Sequence, residues 1–414
     1  MKKHFLFTLL TVAATNLFSA DLIVDVTGVG GAYTSISAAI GASSPGDRIL
    51  VYPNVSPFSE NPNIVHSLEI TTAVEGEYFR LAGSFTVNPW NNIPANSEIT
   101  ISGAQLMSGN ISTPYPATNC KVNIVGCKLD NGYMSFNSDG YVMNMANDSL
   151  MNGYALLRYG KIVGCYINAT STSSRAIYVG PSAPQASNDY IYIVGNHIKC
   201  ANWSNVWTYT PGIWWDSPYH FAYIANNFIE RQNTTYQRGI DYRASKTGGA
   251  KDNMIVNNTI IGTQAGEWAM YIASYNSINR IYNNIISGVG IQYGIAVAAY
   301  NLNNFVSYNH VEATNALGTS ILDDGTNDLG GGNTIDGATG NVTSGNAIDG
   351  GHPDAAYTDL DLTTNDAGCY GGSYSKSNFD AMVGLTGCKT TFLIAPRRVL
   401  VGQTIDIEGE GFDH

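Results

Sequence analysis

A six-residue phrase recurs along the chain: IVGCKL (124–129), IVGCYI (162–167), IVGNHI (193–198), IANNFI (224–229), IVNNTI (255–260), IYNNII (281–286) and, more loosely, VSYNHV (306–311). Its fourth residue falls at 127, 165, 196, 227, 258, 284 and 309, in steps of 38, 31, 31, 31, 26 and 25 residues; an earlier copy, ISGAQL (101–106), adds a step of 23. Self-similarity at such a period marks an architecture in which each repeat is one coil that buries its apolar face only against its neighbours.

The phrase carries its own geometry. Its outer apolar residues, such as Ile255 and Ile260, are five apart, and in a straight strand an odd separation puts them on opposite faces. Both point inward only if the backbone turns between them, through a residue at ease with positive φ. Gly and Asn are those residues. The third position is Gly126, Gly164, Gly195, Asn226, Asn257 and Asn283, and Tyr308 breaks the alphabet in the last copy. The next position is Cys127 and Cys165, then Asn196, Asn227, Asn258, Asn284 and Asn309. Stacked about 4.8 Å apart, these amides are expected to hydrogen-bond along an internal ladder that satisfies polar groups otherwise costly to bury.

A second strand precedes each bend: RAIYVG (175–180), GIWWDS (212–217), GIDYRA (239–244), AMYIAS (269–274) and GIAVAA (294–299). Two or three short strands per coil, with turns of variable length on one side, describe an all-β solenoid. A β-sandwich would need hairpin turns and would not return one bend at near-constant steps.

The bend motif resembles that of right-handed parallel β-helix proteins of the pectin-lyase-like superfamily. GGAYTSISAAIGASSPGDRILVYPNV (30–55) is similar to the opening of that fold, a short amphipathic cap helix and a first strand. NDAGCYGG (365–372) resembles the sequence that ends many secreted β-helix domains, so the resemblance covers residues 21–375. It implies a right-handed parallel β-helix and leaves activity open, because this superfamily hosts lyases, hydrolases, esterases, epimerases, tailspikes and adhesins. Its enzymes use acidic clusters on one outer sheet face, with an arginine base in the lyases and His-Gly and Arg-x-Lys elements in the polygalacturonases. The pair Asp323-Asp324 has no such partner beside it and sits in a loop-like stretch.

Charge narrows the partners. The net charge is −12 with 13% charged residues, and no Lys/Arg cluster exists to displace counterions from phosphates, which argues against nucleic acid or an anionic membrane. Residues 1–20, MKKHFLFTLLTVAATNLFSA, read as a secretory signal, and no other segment is apolar enough to span a bilayer. The protein is therefore expected to be secreted or held at the cell surface. Six cysteines are too few for a disulfide scaffold. Cys369 and Cys388 flank a Gly-rich turn and could bridge, whereas Cys127 and Cys165 read as buried thiols. No zinc-ligand spacing and no cofactor motif is present; the acidic stretch from Asp349 to Asp366 has the oxygen ligands calcium takes but no fixed spacing. The tail, 376–414, alternates as strands do in VLVGQTIDIEG and is similar to the start of an immunoglobulin-like module that the sequence does not complete, or else is a strand that packs on the last coil.

Stacking the second strands sets Ile177, Ile213, Ile240, Met270 and Ile295 inward, so Tyr178, Trp214, Asp241, Tyr271 and Ala296 face out, with Asp216 and Arg243 two residues on. Exposed rings suit sugar C–H faces, while Asp and Arg hydrogen-bond hydroxyls or, for Arg, pair with a uronate. The loop 202–212 adds Trp203, Trp207 and Tyr209 as a wall. Three readings follow: a module that binds extracellular polysaccharide through Tyr178, Trp214, Tyr271 and Trp207; a polysaccharide lyase or glycoside hydrolase with Asp216 and Asp241 as acid and base or Arg243 as base; and a non-catalytic adhesin or spacer. His197 and His310 each follow a ladder asparagine and are expected to face solvent.

Overall fold

The computed structural model describes residues 19–169, 175–181, 189–200, 210–231, 237–244, 251–262, 266–273, 277–288, 290–298, 303–318, 320–321, 323–380, 389–395, 404 and 407–412. The signal sequence through residue 18, Trp203, Trp207, Tyr209 and Cys388 lie outside them.

The chain winds into a parallel β-helix with three long sheets of twelve, ten and eleven strands. From the strand Leu68–Thr72 onward, each coil gives one strand to the first sheet, turns sharply, gives one to the second, and gives one to the third before looping back. Register is set by like apolar side chains stacking on the inside. In the first sheet the inward column runs Ile49, Ile70, Ile101, Ile124, Met145, Ile162, Ile193, Ile224, Ile255, Ile281, Val306. In the second it runs Leu81, Leu106, Leu129, Leu150, Ile167, Ile198, Ile229, Ile260, Ile286, Val311. These side chains are buried. Each is worth roughly 1.5–3 kcal/mol of transfer free energy, and a one-residue slip would turn a whole strand's set outward.

The bend between the first and second sheets has left-handed backbone at Gly103, Gly126, Asn147, Gly164, Gly195, Asn226, Asn257, Asn283 and Tyr308. Tyr308, which breaks the sequence alphabet, adopts the same conformation, with φ 56°. Asn147 marks a coil that the sequence reading passed over. The long step from 127 to 165 holds MANDSL (145–150), with Asp148 where other coils have Asn or Cys.

The residue after each bend points inward and carries the ladder. Asn196 Nδ2 donates to Asn227 Oδ1 at 2.9 Å, Asn227 to Asn258 at 2.9 Å, Asn258 to Asn284 at 3.0 Å and Asn284 to Asn309 at 2.9 Å. Each acceptor oxygen also takes the preceding asparagine's backbone N–H. Asn309 Nδ2 donates in turn to Asn327 Oδ1 at 3.0 Å, which extends the ladder past the last bend. Toward the other end, Asp148 Oδ1 accepts from the Cys127 N–H at 2.7 Å. Burial drives the Asp148 carboxyl well above the usual carboxylate range, the Cys127 N–H pulling the other way.

The N-terminal end is closed by a helix, Ile36–Ala42, that buries Ile36, Ala39 and Ile40. Ser35 caps it by accepting from the Ala38 N–H, and the Glu60 carboxylate accepts from the N–H groups of Ile36 and Ser37. The strand Asp21–Val24 precedes this helix and already belongs to the first sheet, paired with Asp47–Val51.

After the last coil the chain does not continue the solenoid but runs back along it. Asn226 Nδ2 donates to the carbonyls of Cys369 and Gly371, and Asn257 Nδ2 to Asn365 Oδ1, Asp366 O and Gly368 O. Two of the bend asparagines thus both turn the chain and hold this returning strap. The strands Lys389–Ile394 and Glu408–Phe412 pair as an antiparallel hairpin. Phe392 packs on Tyr192 and Tyr374, in a cluster with Val163, Val194, Ala225, Val256 and Phe379 on the outside of the first sheet. The tail therefore docks on middle coils, not on the last one. Cys369 is buried, its N–H donating to Thr259 Oγ1 at 2.9 Å. His310 is also buried, against the expectation of exposure, with Gly350 O 3.3 Å from Nε2. His197 is half-buried against Glu230.

Candidate functional site

The outward face of the third sheet is built by register. Ile177, Ile213, Ile240, Met270 and Ile295 pair in line and are buried, which stacks Tyr178, Trp214, Asp241, Tyr271 and Ala296 outward. Tyr178, Trp214 and Tyr271 are half-exposed, and Tyr178 meets Trp214 edge to face at 5.6 Å. Trp215 and Tyr242 lie side by side in the core below, 5.7 Å apart, and fix the two central strands.

Arg243 departs from the expected column. Trp215 pairs with Tyr242 but Asp216 pairs with Ala244, so Arg243 is the extra residue of a bulge rather than the partner of Asp216. A bulge re-aims a side chain. Here it brings the Arg243 guanidinium over the Trp214 ring, 4.8 Å from its centroid, and onto Asp241, with Nη2 donating to Oδ2 at 2.9 Å and Nε to Oδ1 at 3.1 Å.

Asp241 faces outward yet is fully covered. Arg238 Nη1 donates to its Oδ2 at 2.8 Å from the other side. A carboxylate with no exposed surface, held by two guanidiniums, is placed to orient arginines rather than to meet a substrate. Its hydrogen bonds hold the Arg243 guanidinium above its ordinary range, which disfavours Arg243 as a base. Asp216 is different. It is half-buried, and desolvation raises its carboxyl, helped by the Asp241 charge and opposed by Arg243 and Arg175.

Three residues of this face were not anticipated. Arg175 lies over the rings of Tyr178 and Trp214, at 4.0 and 4.7 Å. Arg238 lies over Trp268 and Tyr271, at 4.2 and 4.3 Å, and those two rings stack 5.1 Å apart at 18°. Each sits two residues before an inward isoleucine or methionine, where strict alternation points a side chain inward. The signal was the intervening residue, which is Ala176, Gly212, Gly239, Ala269 and Gly294 in successive coils. Those positions are buried at a corner; a Cβ on Gly239 would come within 2.7 Å of Ile260, and one on Gly294 within 2.2 Å of Val311. The corner turns the residue before it outward. Guanidiniums and rings thus interleave across four coils. Trp214 Nε1, shielded from water, has no acceptor among the described residues.

Elsewhere the candidates separate. Asp323 and Asp324 hold their own loop, accepting from the N–H groups of Gly325 and Thr326. In the stretch from Asp349 to Asp366, Asp354, Asp361 and Asp366 likewise accept from nearby N–H groups, and no cluster of three metal-ligating side chains occurs among the described residues. No helix among them is long and apolar enough to cross a membrane.

No family model matches the chain, and no curated protein does. Among solved structures, the crystal structure of pectate lyase Pel9A is similar at 12% identity and a TM-score of 0.45, over 86% of this chain and 97% of that one.

Proposed function

We propose that the protein is exported and binds extracellular polysaccharide across the outward face of its third sheet. The observation that carries this reading is the interleaving of Arg175, Arg243 and Arg238 with Tyr178, Trp214, Trp268 and Tyr271 on successive coils. A half-exposed ring offers an apolar face to sugar C–H groups. A guanidinium already oriented by a ring or carboxylate loses little freedom on bonding hydroxyls or a sugar carboxylate.

The test is native affinity electrophoresis through gels containing neutral and acidic polysaccharides, stained afterwards for remaining polymer. Retardation without clearing supports a binding module, and Trp214→Ala should weaken it about tenfold, the loss of roughly 1.4 kcal/mol. Unretarded migration in every gel refutes it. A catalytic version has one observation behind it, the half-buried Asp216 carboxyl with its raised affinity for protons beside Arg243. Clearing that Asp216→Asn abolishes would establish it.

A further inference from the structure

A second cleft lies on a different side of the solenoid, between the outer face of the first sheet and the C-terminal hairpin. It has two lobes, of about 350 and 580 Å³, that share Lys121, Asn144, Lys161 and Glu410. The floor is a polar ladder. Asn144 Nδ2 donates to Asn123 Oδ1 at 2.9 Å, and Asn123 Nδ2 to Glu98 Oε1 at 3.1 Å. Asn144 is 6% exposed, and its Oδ1 accepts from no group among the described residues. Buried side-chain carbonyls are normally hydrogen-bonded.

Charge decides the class of ligand. Lys121 pairs with Glu98 at 3.1 Å, Lys161 with Glu410 at 2.6 Å and Lys251 with Asp189 at 3.7 Å. Glu408 adds a fourth carboxylate to the lining. A cleft whose ammoniums are already paired offers nothing to an anion. What it offers is alternating donors and acceptors with aromatic walls: Phe392 in the smaller lobe, Tyr159, Tyr190 and Tyr192 in the larger. Vicinal hydroxyls on a ring with apolar faces match that lining, and each lobe is of a size to hold one sugar ring.

We infer that this cleft binds a neutral oligosaccharide of at least two units, one ring under the hairpin against Asn144 and the next along the tyrosines. The site is separate from the third-sheet face and does not rest on the function proposed there. Asn144 lines both lobes, so its side-chain amide is the polar group a ring hydroxyl would meet where they join.

Saturation-transfer NMR of the full chain with cellobiose, lactose, maltose and mannobiose tests it. At least one disaccharide should receive saturation, with affinity reduced fivefold or more in Asn144→Leu. Should Asn144→Leu fail to fold, Lys121→Met is read instead; its ion pair with Glu98 is half-exposed and contributes little to stability. The same loss is expected from it. No transfer to any of the four sugars overturns the inference. So does transfer that Trp214→Ala removes and the cleft variants leave intact, which would place the sugar on the third sheet.

Discussion

Asn258→Leu is the most direct perturbation of the ladder, because Asn258 lies at its centre. In the native chain its Oδ1 accepts from the Asn227 N–H and Nδ2, and its Nδ2 donates to Asn284 Oδ1 and to the carbonyls of Ile224 and Val256. Not all of these partners would be stranded. Asn227 Nδ2 keeps Ile193 O at 2.8 Å, Asn284 Oδ1 keeps the residue 258 N–H at 3.0 Å, and Val256 O keeps the Asn226 N–H at 3.2 Å. The Asn227 N–H loses its acceptor inside a dry core, while Ile224 O loses the amide but stays in the ladder with the strand Asn253–Val256. At roughly 1–3 kcal/mol for a buried group left unmade, the cost is roughly 1–3 kcal/mol, only partly offset by the added apolar surface. Solenoid coils interact mainly with their neighbours, so the loss should concentrate in the coils carrying residues 227, 258 and 284. Hydrogen exchange resolved by coil, with urea midpoints, measures it. Asn258→Asp provides the control. A protonated Asp keeps the acceptor and an O–H donor, so its penalty should grow as pH rises, while that of the Leu variant stays flat. A Leu penalty below about 1 kcal/mol, or an Asp penalty equal at pH 4 and pH 8, would refute the reasoning.

Asp148→Asn tests the same ladder from its native exception. A carboxyl raised in the folded state stabilises below the unfolded value near 3.9 and loses that advantage as pH rises toward the folded value, at about 1.4 kcal/mol per pH unit. The Asp148→Asn variant should therefore gain on the parent in thermal midpoint from pH 4 upward; parallel curves would count against a protonated Asp148. In the strap, Asp359 is raised to about 6, by burial first, while accepting from the N–H groups of Gly372 and Asp366. Exchange protection over 359–372 should accordingly fall as pH rises from 4 to 7, once intrinsic exchange rates are corrected for, and hold level if Asp359 is ionised throughout. Asn257→Gly keeps the left-handed backbone, φ 53°, but deletes the amide that holds Asn365, Asp366 and Gly368. The strap should lose protection while the coils keep theirs; equal loss in both would mean the strap is part of the solenoid's cooperative unit. On the third sheet, Arg243→Met should weaken retention in acidic polysaccharide gels more than in neutral ones, and equal weakening would make its role apolar.

The fold was legible because its strongest physical demand falls at one spot. Every coil must turn sharply between two inward-facing residues, and only Gly and Asn do this cheaply, so the demand repeats in the letters at 126, 164, 195, 226, 257 and 283. Where other interactions override cheapness, the letters mislead. Tyr308 takes the same left-handed backbone while its ring packs on His352, 4.7 Å away, and Asp148 takes a ladder position as a buried acid. A pattern search tuned to Gly and Asn passes over both, although their coils are intact.

The outward face was harder to read for a different reason. A column of side chains can be projected from sequence only while register is constant and the strand is straight, and both conditions fail here. The bulge at Arg243 takes it out of register with Asp216 and sets it over Trp214, where it joins Arg238 in clamping Asp241. The corner at Ala176 and Ala269 moves Arg175 and Trp268 from the inside to the outside, and that at Gly239 sets Arg238, still 3% exposed, beneath the Trp268 and Tyr271 rings. Each departure adds a guanidinium or a ring to one surface, and irregularities in a repeat are kept only where something offsets their cost in ladder hydrogen bonds. An inert spacer gains nothing from them, whereas a surface that must present cations at set positions over aromatic rings does. The distortion of the third sheet thus favours the proposed ligand-binding reading of this face over an inert spacer.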